Sequence, residues 1–207
     1  LNEMNVDFTV WQILVLIACV LVSMVIHEFM HAYVGYKLGD TTAKDEGRLT
    51  LNPLEHIDPI MTLLLPVVTI VFFGMPILAA KPVPFTPGRV RHNEFGAAMI
   101  AAAGPLSNLV LAFISSLLLN IVPESSPMAG VLETFTIINV GLFVFNMLPI
   151  PPLDGSRVLY AFSPRSLRDL LERIEPFGFV IIIALLLLGG FGGALRVLYD
   201  IVLSLLP

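Results

Sequence analysis

The stretch FTVWQILVLIACVLVSMVIHEFMHAYVGYKL, residues 8–38, decides how this chain folds. Residues 8–26 are mostly apolar, and no Gly or Pro interrupts them before a short polar cluster follows. A bilayer core about 30 Å thick needs about 20 mostly apolar residues in helical form. We therefore expect a membrane helix that passes through the polar cluster, continues to about Leu38 and stops at Gly39.

The composition of the whole chain supports a membrane protein. Of its 207 residues, 57% are hydrophobic and 13% are charged, whereas a soluble domain is about 45 to 50% apolar and about 25% charged. The net charge of -5 provides no cationic surface for phosphates, so we expect no nucleic-acid partner. The length suits a single integral membrane domain, residues 1–207, with a core at about 8–160. Cys19 is the only cysteine in the sequence, so an internal disulfide is excluded.

Further apolar runs indicate an all-α polytopic fold. They cover residues 60–80, 95–122, 131–148 and 177–206. Pro and Gly interrupt the run at 60–80, and glycines and Arg196 break the last run, which predicts either one span or a span plus a short tail helix. We expect full spans accompanied by a re-entrant or extended segment and a C-terminal helical region. Glu3 and Asp7 are untypical of a secretory signal, so the first apolar segment is expected to remain in the protein.

The basic residues predict the topology. Lys and Arg follow the runs that end near residues 38, 80 and 148, whereas the loop at 123–130 carries only Glu124 as a charged residue. Basic loops are typical of the cytoplasmic side. If the run at 60–80 enters and returns on one side, every basic loop is cytoplasmic. The alternative is an ordinary span with a weak charge bias. We expect a multi-pass cell-membrane protein whose site opens toward the cytoplasm.

Residues 27–31, HEFMH, carry the chemistry of the first span. Positions i and i+4 of a helix share one face, so His27 and His31 can bind one metal ion while Glu28 reaches a water activated by that ion. Such residues are costly inside a membrane unless something compensates them, and a metal does so. Two histidines leave a catalytic zinc ion short of a third protein ligand. The candidates considered for that ligand are His56, Asp58, His92 and Asp154.

Asp154 differs from the other candidates in its setting. It follows directly on an apolar span, after a segment with three prolines that precludes regular helix, and Gly155 permits a close backbone approach. His56 and Asp58 lie in a loop with Asn-Pro and Asp-Pro turns, and His92 neighbours two arginines. A broken helix near a membrane face is where buried function is found. His56 is expected to be a loop residue or one that orients a ligand.

Three motifs in this order resemble the site-2 protease family of intramembrane zinc metalloproteases. They are HEFMH at 27–31, GPLSN at 104–108, and Asn146 with Pro149 leading to Asp154 and Gly155. The resemblance implies one Zn²⁺ per chain with His27, His31 and Asp154 as ligands and Glu28 as general base. It also places Asn146 near the substrate carbonyl and Asn108 in the helix-packing motif beside the site. The stretch KPVP at 81–84 resembles the extended segment of small prokaryotic members. The resemblance also implies a three-helix catalytic core and minor β structure.

The expected function is therefore intramembrane zinc metalloendopeptidase activity on transmembrane protein substrates in the lipid bilayer. We expect no PDZ or CBS domain of the kind that many members carry, and regulation is therefore expected to be absent or to come from membrane partners. One alternative is a catalytically idle scaffold of the same fold that binds transmembrane helices. Another is a metal transport protein, although the other spans are almost wholly apolar.

Overall fold

A computed structural model describes residues 9–57, 83–187 and 190–207. These ranges are mainly helical, which confirms the all-α prediction for the part described. The expected minor β structure is not found there, since the described residues contain no β-strand. The α-helices in chain order are α1 (Val10–Lys37), α2 (Thr42–Asp45), α3 (Asn93–Leu119), α4 (Pro127–Asn146), α5 (Asp154–Phe162), α6 (Arg165–Ile174), α7 (Gly178–Leu187) and α8 (Gly190–Ser204). Short 3₁₀ turns cover Pro53–Glu55, Pro87–Arg89 and Glu175–Phe177. The run at 60–80, and with it Asp58, lies outside the described residues.

Helix α1 begins and ends where local sequence signals predict. Thr9 and Gln12 form a reciprocal capping box at its start, which satisfies backbone N–H groups that have no partner within the helix. At its end, the backbone N–H of Leu38 donates to carbonyls of the last turn, and Gly39 follows with φ of 100°. That conformation suits glycine because it has no Cβ. The expected stop at Gly39 is therefore confirmed.

Helices α1, α3 and α4 are each long and apolar enough to cross a membrane. They pack against one another and form the three-helix core that the sequence predicts. The described part of the last apolar run contains two helices, α7 and α8. Tyr199 and Val202 of α8 pack against Val140 and Val144 of α4, so the C-terminal helix covers the core beside that span.

The segments before and after residues 58–82 meet beside the C-terminal end of α1, which is the end predicted to face the cytoplasm. The backbone N–H of Arg91 donates to the carbonyl of Leu38 at 2.9 Å. Asp40 is buried and accepts hydrogen bonds from the N–H of Thr86 at 2.6 Å and from the N–H and Oγ1 of Thr42 at 3.0 and 2.6 Å. The chain thus enters α3 at the same end at which it leaves α1.

The hydrogen bonds also control the ionisation of Asp40. Burial alone would raise the pKa of its carboxyl, but the bonds from Thr42 and Thr86 and the charge of Arg89 hold this pKa below its usual value. A carboxylate with a lowered pKa stabilises the fold above its unfolded pKa of about 3.9, and this contribution is lost as the pH falls through the lowered value.

We predict that Asp40→Ala lowers the free energy of unfolding by about 2 to 3 kcal/mol near pH 7, because a charged acceptor of three hydrogen bonds is removed. Thermal unfolding of the detergent-solubilised protein measures the loss. Thr134→Ala is the control. It removes an exposed hydrogen bond from the Thr134 hydroxyl to the carbonyl of Gly130 within α4, and little effect on stability is expected. The difference between Asp40→Ala and wild type should shrink below about pH 4. An Asp40→Ala protein as stable as wild type at pH 7 would contradict the assignment.

Candidate metal centre

Each imidazole of α1 is oriented by a bond from its far ring nitrogen. His31 Nδ1 lies 2.7 Å from the carbonyl oxygen of Ile100, which can only accept, so Nδ1 carries the hydrogen. His27 Nδ1 lies 2.6 Å from Oδ1 of Asn108, which also can only accept. Both partners belong to α3. The two Nε2 atoms are consequently left with free lone pairs in the neutral rings, and they lie 3.0 Å apart.

Asp154 brings a carboxylate to the same point. Its Oδ2 lies 3.2 Å from Nε2 of His27 and 3.4 Å from Nε2 of His31. Asp154 is the first residue of α5, and the irregular segment before it brings the carboxylate to the two histidines.

Contacts along α5 hold Asp154 in place. A Cβ on Gly155 would overlap the backbone of Met147 and Leu148, so only glycine permits this approach. At the other end of α5, the guanidinium of Arg168 donates to the carbonyls of Ala161 and Ser163 at 3.0 and 2.9 Å. The proline-broken segment and the Arg168 bonds together fix both ends of a helix only nine residues long.

The donor atoms are spaced close to the separations found around a zinc ion. Donors bound tetrahedrally at about 2.0 to 2.1 Å lie about 3.3 to 3.4 Å from one another, and the three distances here are 3.0, 3.2 and 3.4 Å. Two imidazole lone pairs and a carboxylate oxygen facing one another repel unless a cation lies among them. Two nitrogens and one oxygen are also the donor set of known catalytic zinc sites. The residues therefore fit the metal.

Glu28 lies on the same side of α1, facing a cavity shared with the three donors. It is buried, with 8% of its surface exposed, and lines a cavity of about 660 Å³ together with His27, His31 and Asp154. The volume is within the range of about 300 to 1,000 Å³ that is typical of ligand sites. The other lining residues include apolar side chains of α1, α3 and α4. A carboxylate, a metal site and an apolar cavity thus meet between the spans.

Gly104 makes room for the imidazoles. A Cβ built on it would lie 2.6 Å from Nε2 of His27 and would also overlap the ring of His31. The sequence suggests only that this glycine allows helices to approach. Its closeness to both donor nitrogens was not predictable, because no local pattern reveals which helix faces the histidines.

The remaining predicted residues take different positions. Asn108 is fully buried beside His27, whereas Asn146 lines the cavity and donates to the Leu142 carbonyl at 3.0 Å. His56 is fully buried, but its Nε2–H donates to the carbonyl of Thr50 at 2.8 Å, and it is not among the described donors grouped around a metal position. His92 is exposed at the start of α3. His56, His92 and Asp154 are the candidate third ligands that lie in the described residues. Of these, Asp154 is the one that lies beside His27 and His31.

Comparisons with known proteins point to one family. The family model for peptidase family M50 matches residues 120–189. The chain is 37% identical over 179 residues to YwhC of Bacillus subtilis, provisionally named a zinc metalloprotease, covering 82% of this chain and 78% of that protein. Rip2 of Mycolicibacterium smegmatis, with the same provisional name, is 31% identical, covering 84% and 67%. A similarly named protein of Methanocaldococcus jannaschii is 33% identical, covering 74% and 73%. No solved structure matches the chain significantly.

Substituting Gly104 by alanine should disrupt metal binding without a new charge or lost hydrogen bond. The added methyl group displaces the imidazoles of His27 and His31, so we expect at least the roughly 10- to 100-fold loss of zinc affinity typical of changes near metal ligands. Competition with a chromophoric chelator measures the affinity. Gly130→Ala is the matched control, since a Cβ there meets open space. Wild-type affinity in Gly104→Ala would show that the rings do not occupy the described positions.

Proposed function

We propose a function from the premise that this chain belongs to peptidase family M50 and is a small member of the site-2 protease family. It is a metalloprotease of a multi-pass membrane type, and the finer proposal is a zinc-dependent endopeptidase that cleaves transmembrane protein substrates within the bilayer. The observation that carries the proposal is the meeting of three metal donors at 3.0 to 3.4 Å beside buried Glu28 in a cavity between spans.

The chain's own residues have distinct roles in this proposal. His27, His31 and Asp154 would hold the zinc ion, which when bound acts as a Lewis acid and makes a water acidic enough to lose a proton near pH 7. Glu28 would take that proton as general base and return it to the nitrogen of the leaving peptide segment. Asn146 uses one amide hydrogen on Leu142, and its second hydrogen remains for the substrate carbonyl.

A transmembrane substrate must unwind locally before cleavage, because its carbonyls are hydrogen-bonded within its own helix. The freed backbone groups need partners that lipid does not offer. The irregular segment at 83–86 supplies a place for such pairing, since Val83 and Phe85 line the cavity. We propose that the unwound peptide lies beside this segment and pairs with it as an added strand.

The decisive experiment compares Glu28→Gln with Asp154→Asn in proteoliposomes that contain a candidate transmembrane substrate. Glu28→Gln should retain zinc and cut the substrate about 10²- to 10⁴-fold more slowly, because only the base is lost. Asp154→Asn should lose both zinc and cleavage, because a charged ligand is lost.

Three results would count against the proposal. Near wild-type cleavage by Glu28→Gln would disprove its role as base. Unchanged zinc content in Asp154→Asn would move the third ligand elsewhere. A wild-type protein that binds zinc but cleaves no transmembrane substrate would favour the scaffold function. The control is the same assay with a chelator, which should abolish any zinc-dependent cleavage.

The proposed orientation has its own test. The basic ends of α1, α3 and α6 lie together, as the bonds from Arg91 to Leu38 and from Arg168 to Glu94 indicate, so we propose that this end faces the cytoplasm. In a background of Cys19→Ser, a membrane-impermeant maleimide added to intact cells should label Ser125→Cys and leave Lys44→Cys unlabelled. Both positions are exposed. Labelling after lysis is the control, and the reverse pattern would overturn the orientation.

A further inference from the structure

A hydrogen-bond network of buried side chains extends from His27 away from the cavity. Asn108 Nδ2 donates to Oδ1 of Asn139 at 2.9 Å, and Nδ2 of Asn139 donates to the carbonyl of Phe135 at 2.8 Å and to Oγ of Ser23 at 2.8 Å. Ser23, Asn108 and Asn139 are each fully buried. These bonds join α1, α3 and α4, and they lie outside the metal site itself.

In this hydrogen-bond network, the donor and the acceptor of every bond are fixed. The carbonyl of Phe135 can only accept, so the amide of Asn139 must turn its nitrogen toward that carbonyl and its oxygen toward Asn108. Asn108 must then turn its nitrogen toward Asn139 and its oxygen toward His27. A second acceptor, the carbonyl of Ser23 at 3.3 Å from Nδ2 of Asn108, favours the same orientation.

The orientation matters because an asparagine amide offers a donor on one side and an acceptor on the other. With its oxygen toward His27, Asn108 requires a hydrogen on Nδ1 and leaves Nε2 free for a metal. With the amide reversed, its NH₂ group would donate to Nδ1, and the hydrogen would move to Nε2, where it blocks the metal. His31 needs no such control, since its partner is a backbone carbonyl.

We propose that Asn139 is a positioning residue that sets the tautomer of His27 through Asn108 and so raises the affinity for zinc. It acts two side chains away from the metal, from a different helix than either histidine. The inference rests on the proposed zinc site, and it adds a residue whose role no local motif indicates.

Substitutions at Asn139 separate hydrogen-bond direction from simple packing. Asn139→Leu is nearly isosteric and removes the acceptor for Asn108, so zinc affinity should fall roughly tenfold, the low end of the loss expected for outer partners of a metal ligand. Asn139→Asp keeps an oxygen toward Asn108, and zinc affinity should stay within about threefold of wild type. Equal losses in both variants would overturn the proposal, because they would indicate packing alone.

Thr136→Val is the matched control. Thr136 lies one turn before Asn139 on α4, is also buried, and bonds Oγ of Ser115 at 2.7 Å, but it has no link to His27 in the hydrogen bonds described. Its zinc affinity should equal that of wild type, although its thermal stability falls. A Thr136→Val loss as large as that of Asn139→Leu would contradict the proposal.

Nitrogen-15 NMR of histidine-labelled, metal-free protein in micelles tests the tautomer directly. In wild type, Nδ1 of His27 should carry the hydrogen, and in Asn139→Leu this signal should weaken in favour of Nε2–H. An unprotonated Nδ1 in wild type overturns the inference even if no variant folds. A wild type that shows Nδ1–H but binds no zinc would instead refute the proposed function, so the two failures are distinguishable.

Discussion

The structure depends on the need to satisfy polar side chains in a mostly apolar bundle. Two imidazoles and a carboxylate meet at 3.0 to 3.4 Å, and each imidazole spends its other nitrogen on a partner from α3. Unpaired groups of this kind are expensive in a membrane protein. The position of α3 along the axis of α1 is therefore fixed, with Gly104 opposite the two imidazole rings. The same contacts between α1 and α3 therefore determine both the packing of the core and the geometry of the metal centre.

Much of this was predictable because membrane spans and helix ends have strong local signals. The bounds of α1 follow from its apolar run and from Gly39, and HEFMH on a helix requires that His27 and His31 share a face. Asp154 stood out because a proline-broken segment precedes it. These are inferences from short stretches of sequence, and the structure agrees with them where it describes the residues.

Other features were not predictable because they depend on which helix faces which. Asn139 sits in an apolar span with no neighbouring motif, and only the packing of α4 reveals that it meets Asn108. The same holds for Asp40, whose bond to Thr86 joins residues far apart in sequence. The sequence predicts His56 as a loop residue or as one that orients a metal ligand, and its hydrogen bond to the carbonyl of Thr50 favours the loop role.

The three metal donors are unevenly spaced along the chain. His27 and His31 lie on one helix, whereas Asp154 follows 127 residues after His27. A ribosome that feeds this chain into the membrane releases the histidines long before the carboxylate. The nascent protein therefore cannot assemble its full set of donors until α3, α4 and the start of α5 have been made. Such an order would keep a hydrolytic centre inactive during synthesis, while unfolded neighbours are still being inserted beside it.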